Sequence, residues 1–188
     1  MKIIKLYTLL VALACFTTIN AQEIKGGLRG GVNYSFFTQD AGDQAGSIGY
    51  EFGYYEVLDF ENKIKLQVEI NLVNNGYSNS KADTKEQFNY VEIPLLIKYE
   101  VAKNFDLGAG IKYAFGRKGR LKTEYENETD NEKTDKAESG FGFIIEGNYN
   151  MDKLNFGLRF NFNGGDLSLN EKEFQRRSVN LYVGYDLF

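Results

Sequence analysis

Ile64-Lys65-Leu66-Gln67-Val68-Glu69-Ile70-Asn71-Leu72 alternates without exception between an aliphatic residue and a charged or amide-bearing one. Side chains of a strand point to opposite sides in turn, so this segment predicts a strand with one aliphatic face and one polar face. A one-residue slip would exchange the two faces completely, which makes the pairing register strongly specified.

The same period of two recurs along the chain, giving eight such segments. Upstream, Leu28, Val32 and Tyr34 oppose Gly27, Arg29, Gly31 and Asn33, and Ile48, Tyr50 and Phe52 oppose Gly49, Glu51 and Gly53. Downstream, Ile93, Leu95, Ile97 and Tyr99 oppose Glu92, Pro94, Leu96 and Lys98, and Leu107, Ala109 and Ile111 oppose Gly108, Gly110 and Lys112. Phe141, Phe143 and Ile145 then oppose Gly142, Ile144 and Glu146, while Phe156, Leu158 and Phe160 oppose Gly157, Arg159 and Asn161. The last segment sets Val179, Leu181, Val183, Tyr185 and Leu187 against Asn180, Tyr182, Gly184 and Asp186. Each runs to about ten residues, the length of a tilted strand that crosses a bilayer.

Connections alternate in length as well. Phe37–Gly46, Val73–Gln87, Arg117–Ser139 and Gly164–Arg177 are long, whereas the turns around Asp59–Asn62, Ala102–Asn104 and Asn150–Lys153 are tight and rich in Asp and Asn. Long loops at one end and short turns at the other are the wiring of an outer-membrane barrel. The expected fold is therefore all-β: a closed eight-stranded antiparallel up-and-down transmembrane β-barrel.

The polar face carries Arg29, Glu51, Lys65, Glu69, Glu92, Lys98, Lys112, Glu146, Arg159 and Asp186, nearly balanced in sign. A cation at the middle of a lipid-facing strand costs about 2–4 kcal/mol, so these residues are expected inside and the apolar face outside. Aromatics gather at both ends of the apolar face, Tyr34, Phe36, Tyr113, Phe115 and Phe141 at one and Tyr54, Tyr99, Tyr149 and Tyr185 at the other, as interfacial belts do. An eight-stranded barrel is just wide enough for side chains to fill. The charges are thus expected to pair across the lumen as a polar plug, with the glycines of that face leaving them room.

Residues 1–21 read as a secretory signal peptide, with Lys2 and Lys5 ahead of the apolar run Leu6–Phe16 and a cut before Gln22. The barrel domain is then 22–188. The lone Cys15 lacks the branched apolar residue three positions earlier that a lipoprotein signal needs, since Ala12 stands there. With no His among 188 residues, His-dependent catalysis is excluded, and no Ser sits in a nucleophile elbow. The formal net charge of −4 gives no footprint for nucleic acid. No enzyme activity, cofactor or metal centre is expected.

Phe88-Asn89-Tyr90-Val91-Glu92-Ile93-Pro94-Leu95-Leu96-Ile97-Lys98-Tyr99 resembles the central strand motif of PorT-like outer-membrane β-barrels, a group also called porin-family proteins. The opening Lys25-Gly26-Gly27-Leu28-Arg29-Gly30-Gly31-Val32-Asn33-Tyr34 is similar to the first strand of that family. The resemblance implies an eight-stranded barrel of OmpA- and OmpX-like architecture. Pro94 removes a ladder donor in mid-sheet, and a local bulge is the expected accommodation.

Two loop features stand apart. Arg117, Lys118, Arg120 and Lys122 would lie at the membrane rim, where lipid headgroups are anionic. Glu124, Glu126, Glu128, Asp130 and Glu132 follow at every second position; along one side of a hairpin they would form a cation site, and otherwise they make a solvated loop. Phe188 supplies the terminal aromatic read by barrel-assembly machinery, although strict alternation turns it inward. Either the last residues bulge or that signal is read differently.

The expected role is a non-enzymatic outer-membrane barrel of a Gram-negative-type bacterium, structural or acting through its extracellular loops. Its partners would be outer-membrane lipid, the assembly machinery and an extracellular or envelope protein, without nucleic acid. Two other readings stay open: a narrow ion or small-solute channel, and a secreted lipocalin-like barrel binding an apolar ligand.

Overall fold

The computed structural model describes residues 23–37, 44–60, 62–79, 84–116, 118–125, 128–136, 139–169 and 172–188, so the expected signal peptide lies outside the described residues. The strands are β1 (Glu23–Phe37), β2 (Gln44–Phe60), β3 (Ile64–Asn79), β4 (Thr84–Ala102), β5 (Phe105–Gly116), β6 (Lys118–Tyr125), β7 (Glu128–Lys136), β8 (Gly140–Met151), β9 (Leu154–Leu169) and β10 (Lys172–Asp186). All pairings are antiparallel. Around the ring the order is β1-β2-β3-β4-β5-β8-β9-β10, and β10 returns to β1 to close an eight-stranded barrel. Strands β6 and β7 form a hairpin outside this ring.

The barrel strands are longer than the alternation alone indicates. Much of what reads as loop is paired backbone: Tyr77–Asn79 pairs with both Gln44–Gly46 and Thr84–Glu86, and Asp166–Leu169 pairs with Lys172–Gln175. The hairpin β6–β7 prolongs β5 and β8, because β6 takes over the edge of β4 at Thr84–Gln87 after β5 leaves it at Tyr90. The reason is physical. Hydrogen-bonded pairing needs no hydrophobic pattern, and alternation is enforced only where one face meets an apolar solvent.

The wall is inside out relative to a soluble barrel. Val68, Ile70 and Leu72 are exposed on the exterior, as are Ile97, Phe141, Phe143 and Leu181, while Glu69, Arg29 and Arg159 are buried. This excludes the lipocalin-like arrangement, which needs the apolar face within. At the long-loop end of the exterior, Tyr113 packs edge-on against Phe115 and Phe141, with ring centroids 4.6 and 4.8 Å apart.

The expected bulge at Pro94 is absent. The β3–β4 register runs without a shift from Ile64↔Tyr99 to Asn79↔Thr84, but pairing is interrupted between Val68↔Leu95 and Asn71↔Glu92. On its other side Pro94 stays in register opposite Lys112. A proline can thus be accommodated by leaving out bridges rather than by adding a residue.

The three tight turns each contain one left-handed residue, Lys63 (φ 64°), Asn104 (φ 66°) and Asp152 (φ 52°). Asn and Asp tolerate that conformation, whereas Lys does so at a cost of roughly 1–2 kcal/mol. The Lys63 carbonyl accepts the Glu100 amide at 2.9 Å, a backbone bond that any residue there retains. Lys63→Asn is expected to stabilise the barrel by about 0.5–1 kcal/mol. A higher urea midpoint in lipid vesicles would show it, and an unchanged midpoint would refute it.

Candidate functional site: the charged lumen

Large and minimal residues sit side by side on the inner face. Arg29 pairs across the ladder with Gly53 on one side and Gly184 on the other. Lys98 faces Gly108, Lys112 faces Gly142, and Tyr182 lies between Gly31 and Gly157. A Cβ on Gly157 would stand 1.9 Å from the Tyr182 ring, and one on Gly108 would stand 3.1 Å from the Lys98 side chain. The glycines of the polar face are therefore the space into which long side chains fold.

Six of the charged residues singled out from the sequence form one chain of alternating sign: Glu51, Arg29, Glu69, Arg159, Glu146 and Lys98. Arg29 Nη2 donates to Glu51 Oε1 at 2.9 Å, and Nη1 donates to Glu69 Oε1 at 2.7 Å. Arg159 grips both Glu69 oxygens, at 2.9 Å from Nη1 and 2.6 Å from Nη2. Its Nε donates to Glu146 Oε2 at 2.8 Å, and Lys98 Nζ lies 2.6 Å from Glu146 Oε1. Strands β3 and β9 stand opposite one another in the ring, so the Glu69–Arg159 fork spans the diameter.

The remaining four are placed in smaller groups. Lys112 Nζ donates to Glu92 Oε2 at 2.7 Å and to Asn161 Oδ1 at 3.1 Å. Lys65 Nζ donates to Asp106 Oδ1 at 2.9 Å and lies 3.5 Å from Glu100 Oε2. Asp186 accepts from the Tyr55 hydroxyl and, at 3.4 Å, from Asn155 Nδ2.

Several participants fall outside the ten charged residues singled out from the sequence. Asp106 has the inward parity of its strand and completes the Lys65 pair, so alternation alone locates it. Asn71 Nδ2 donates to Glu69 Oε2 at 2.7 Å, Gln67 donates to Glu69 Oε1, and Asn180 Nδ2 reaches Glu51 Oε2. The Tyr182 ring lies under the Arg29 guanidinium, 3.6 Å from ring centroid to Cζ, and its hydroxyl donates to Asn148 Oδ1 at 3.0 Å. The filling is also less polar than expected: Leu96 and Ile144 are fully buried on the inner face, and Val73, Phe88 and Tyr90 are buried towards the long-loop end.

A polar cavity of about 380 Å³ remains at the short-turn end. Asp59, Asn104 and Asp152 lie at its mouth, and Arg29, Gln67, Lys98 and Tyr182 line it on the side of the charge chain. Among the described residues no group of three or more His, Cys, Asp or Glu is arranged to hold a metal ion.

Arg117 and Glu126 lie outside the described residues, while Lys118, Arg120 and Lys122 fall on β6. The hairpin register pairs Tyr125 with Glu128, Thr123 with Asp130 and Leu121 with Glu132, but Glu124 with Thr129. Glu124 is therefore out of step with Glu128, Asp130 and Glu132, because residues opposite one another in a ladder share a face.

Comparisons with known proteins agree with this architecture. The sequence profile of the family described as outer membrane protein beta-barrel domain matches residues 8–186. Neisserial surface protein A is similar in structure at 11% identity and a TM-score of 0.58, covering 86% of this chain and 97% of that one. Ail, the attachment invasion locus protein of Yersinia pestis, is similar at 12% identity and a TM-score of 0.55, covering 88% of this chain and 99% of that one. A second Ail structure, in complex with the heparin analogue sucrose octasulfate, is similar at 12% identity and a TM-score of 0.53, covering 88% and 99%. No curated protein matches the chain in sequence.

Removing the carboxylate of Glu69 leaves two buried guanidiniums without their shared partner. Breaking a buried ion pair from one side costs about 3–5 kcal/mol, so Glu69→Gln is expected to lower barrel stability by that order. Urea unfolding in vesicles measures it, and a loss below ~1 kcal/mol, the scale of an exposed pair, would contradict the assignment.

Proposed function

The chain belongs to the outer membrane protein β-barrel family, and from that premise we propose a non-enzymatic barrel that seals its own lumen and acts through the strands that extend beyond the membrane. Its place is the bacterial outer membrane. In the proposed reading that is the envelope of a Gram-negative-type cell, reached by export on residues 1–21.

The observation that carries this reading is the cross-section at Glu69. Side chains from opposite walls meet there, Arg29, Arg159, Glu69 and Glu146 are almost completely buried, and Tyr182 packs beneath Arg29. A diffusion path needs an open channel along the axis, and at this level side chains from opposite walls meet and pair across it. The absence of His supports a role without His-based catalysis.

The β6–β7 hairpin supports the second half. It extends the wall past the ring, and among the described residues β7 pairs with β6 alone. An unpaired strand edge can take up an extended segment of another protein, and charged residues along it restrict which one. The basic residues Lys118, Arg120 and Lys122 would face outer-membrane lipid headgroups, and the C-terminal strand ending in Phe188 would engage the assembly machinery. An extracellular or envelope protein is the expected partner of the extension, and nucleic acid is not.

Two measurements test the sealed membrane barrel. The purified protein should require detergent and migrate differently on a gel before and after boiling, whereas a freely soluble folded chain would overturn membrane insertion. In planar bilayers the full chain should give no stable conductance steps. Reproducible unitary steps would establish the narrow-channel alternative instead.

A further inference from the structure

The seam between β1 and β10 is where the two ends of the barrel meet, and its last closure is unlike the rest of the ladder. Below Gly27↔Asp186 the register ends in a two-against-one arrangement. Leu187 N donates to Gly26 O at 2.7 Å, Gly26 N donates to Phe188 O at 3.2 Å, and Phe188 N also points at Gly26 O at 3.5 Å. Of the two options open for the terminus, the structure takes the bulge.

This extra residue brings Phe188 to the outside of the wall. Gly26 shares the outward parity of Ile24 and Leu28, both exposed, yet Gly26 itself is buried. What covers it is the terminal ring: a Cβ on Gly26 would lie 2.6 Å from Phe188 Cζ and 2.9 Å from Tyr54 Oη. Tyr54 approaches from β2 and is held by a 2.9 Å hydrogen bond from its hydroxyl to Glu56 Oε1. Gly30, four residues on and on the same face, has nothing closer than 3.9 Å to its added Cβ.

We infer that Gly26 and Tyr54 form a seat for the terminal aromatic ring, and that occupation of this seat completes the closing seam. The argument is geometric. Only a residue without a side chain lets the ring come this close to the β1 backbone, and the two-against-one closure is what turns the ring outward to reach it. The seam joins the residues furthest apart in sequence, so it carries the largest loop-closure cost of any pairing in the ring. A contact that forms only when Phe188 is in place therefore ties closure of the seam to that residue.

The test is refolding of the full chain from urea into phosphatidylcholine vesicles without any assembly factor, read by the heat-modifiable gel band and the urea midpoint. Gly26→Ala should shift the folded-to-unfolded ratio by about fivefold or more against the wild type. Gly30→Ala on the same face should leave it unchanged. The deciding comparison is with Phe188→Ala: in that background the added Gly26→Ala should have little further effect, because the ring it displaces is gone. Equal behaviour of Gly26→Ala and Gly30→Ala would overturn the inference. So would a Gly26→Ala defect that persists in full without the terminal ring, which would trace it to the backbone alone.

Discussion

Glu69 holds a carboxylate between two guanidiniums at the centre of the bore, and the rest of the barrel is arranged around that arrangement. A lone buried carboxylate would be very costly, and so would either arginine by itself. Together, with Asn71 and Gln67 donating to the same oxygens, they satisfy one another across the ring. The partners arrive from β1, β3 and β9, so the strands must be held in one register for the charges to meet. Alternation then places the aliphatic residues of those strands on the opposite surface. Apolar exterior and ionic interior are thus two consequences of one register.

Glycine is what makes such an interior fit. A narrow barrel cannot place a long charged residue opposite another long residue at every rung. Arg29 between Gly53 and Gly184, and Tyr182 between Gly31 and Gly157, show the solution, in which each bulky group borrows the volume left by its ladder neighbours. The close approaches at Gly157 and Gly31 leave no space even for a methyl group.

Much of this was legible in the sequence, and the boundaries of legibility have physical causes. The strict alternation from Ile64 to Leu72 identifies both the strand and its inward side, because lipid punishes any exception. The same alternation at Phe105-Asp106-Leu107 places Asp106 inside, although a reading confined to the balanced list of charges passes over it. Beyond the membrane rim the pattern fades at Val73, and the continuation of β3 to Asn79 can be seen only from backbone pairing. Which carboxylate meets which base could not be read either, since partners such as Glu69 and Arg159 sit on strands distant in sequence and are matched by the stagger of the closed ring. The bulge expected at Pro94 failed, while at Phe188 the bulge kept open as one of two options is the one found; each is a local adjustment of the ladder that residue alternation does not encode.

The interruption between β3 and β4 at Pro94 gains meaning from its position. The missing bridges lie at Glu69 and Ile70, level with the residue that reaches across the bore. The forked grip of Arg159 on Glu69 crosses the bore at that height and ties this stretch of β3 to the strand opposite.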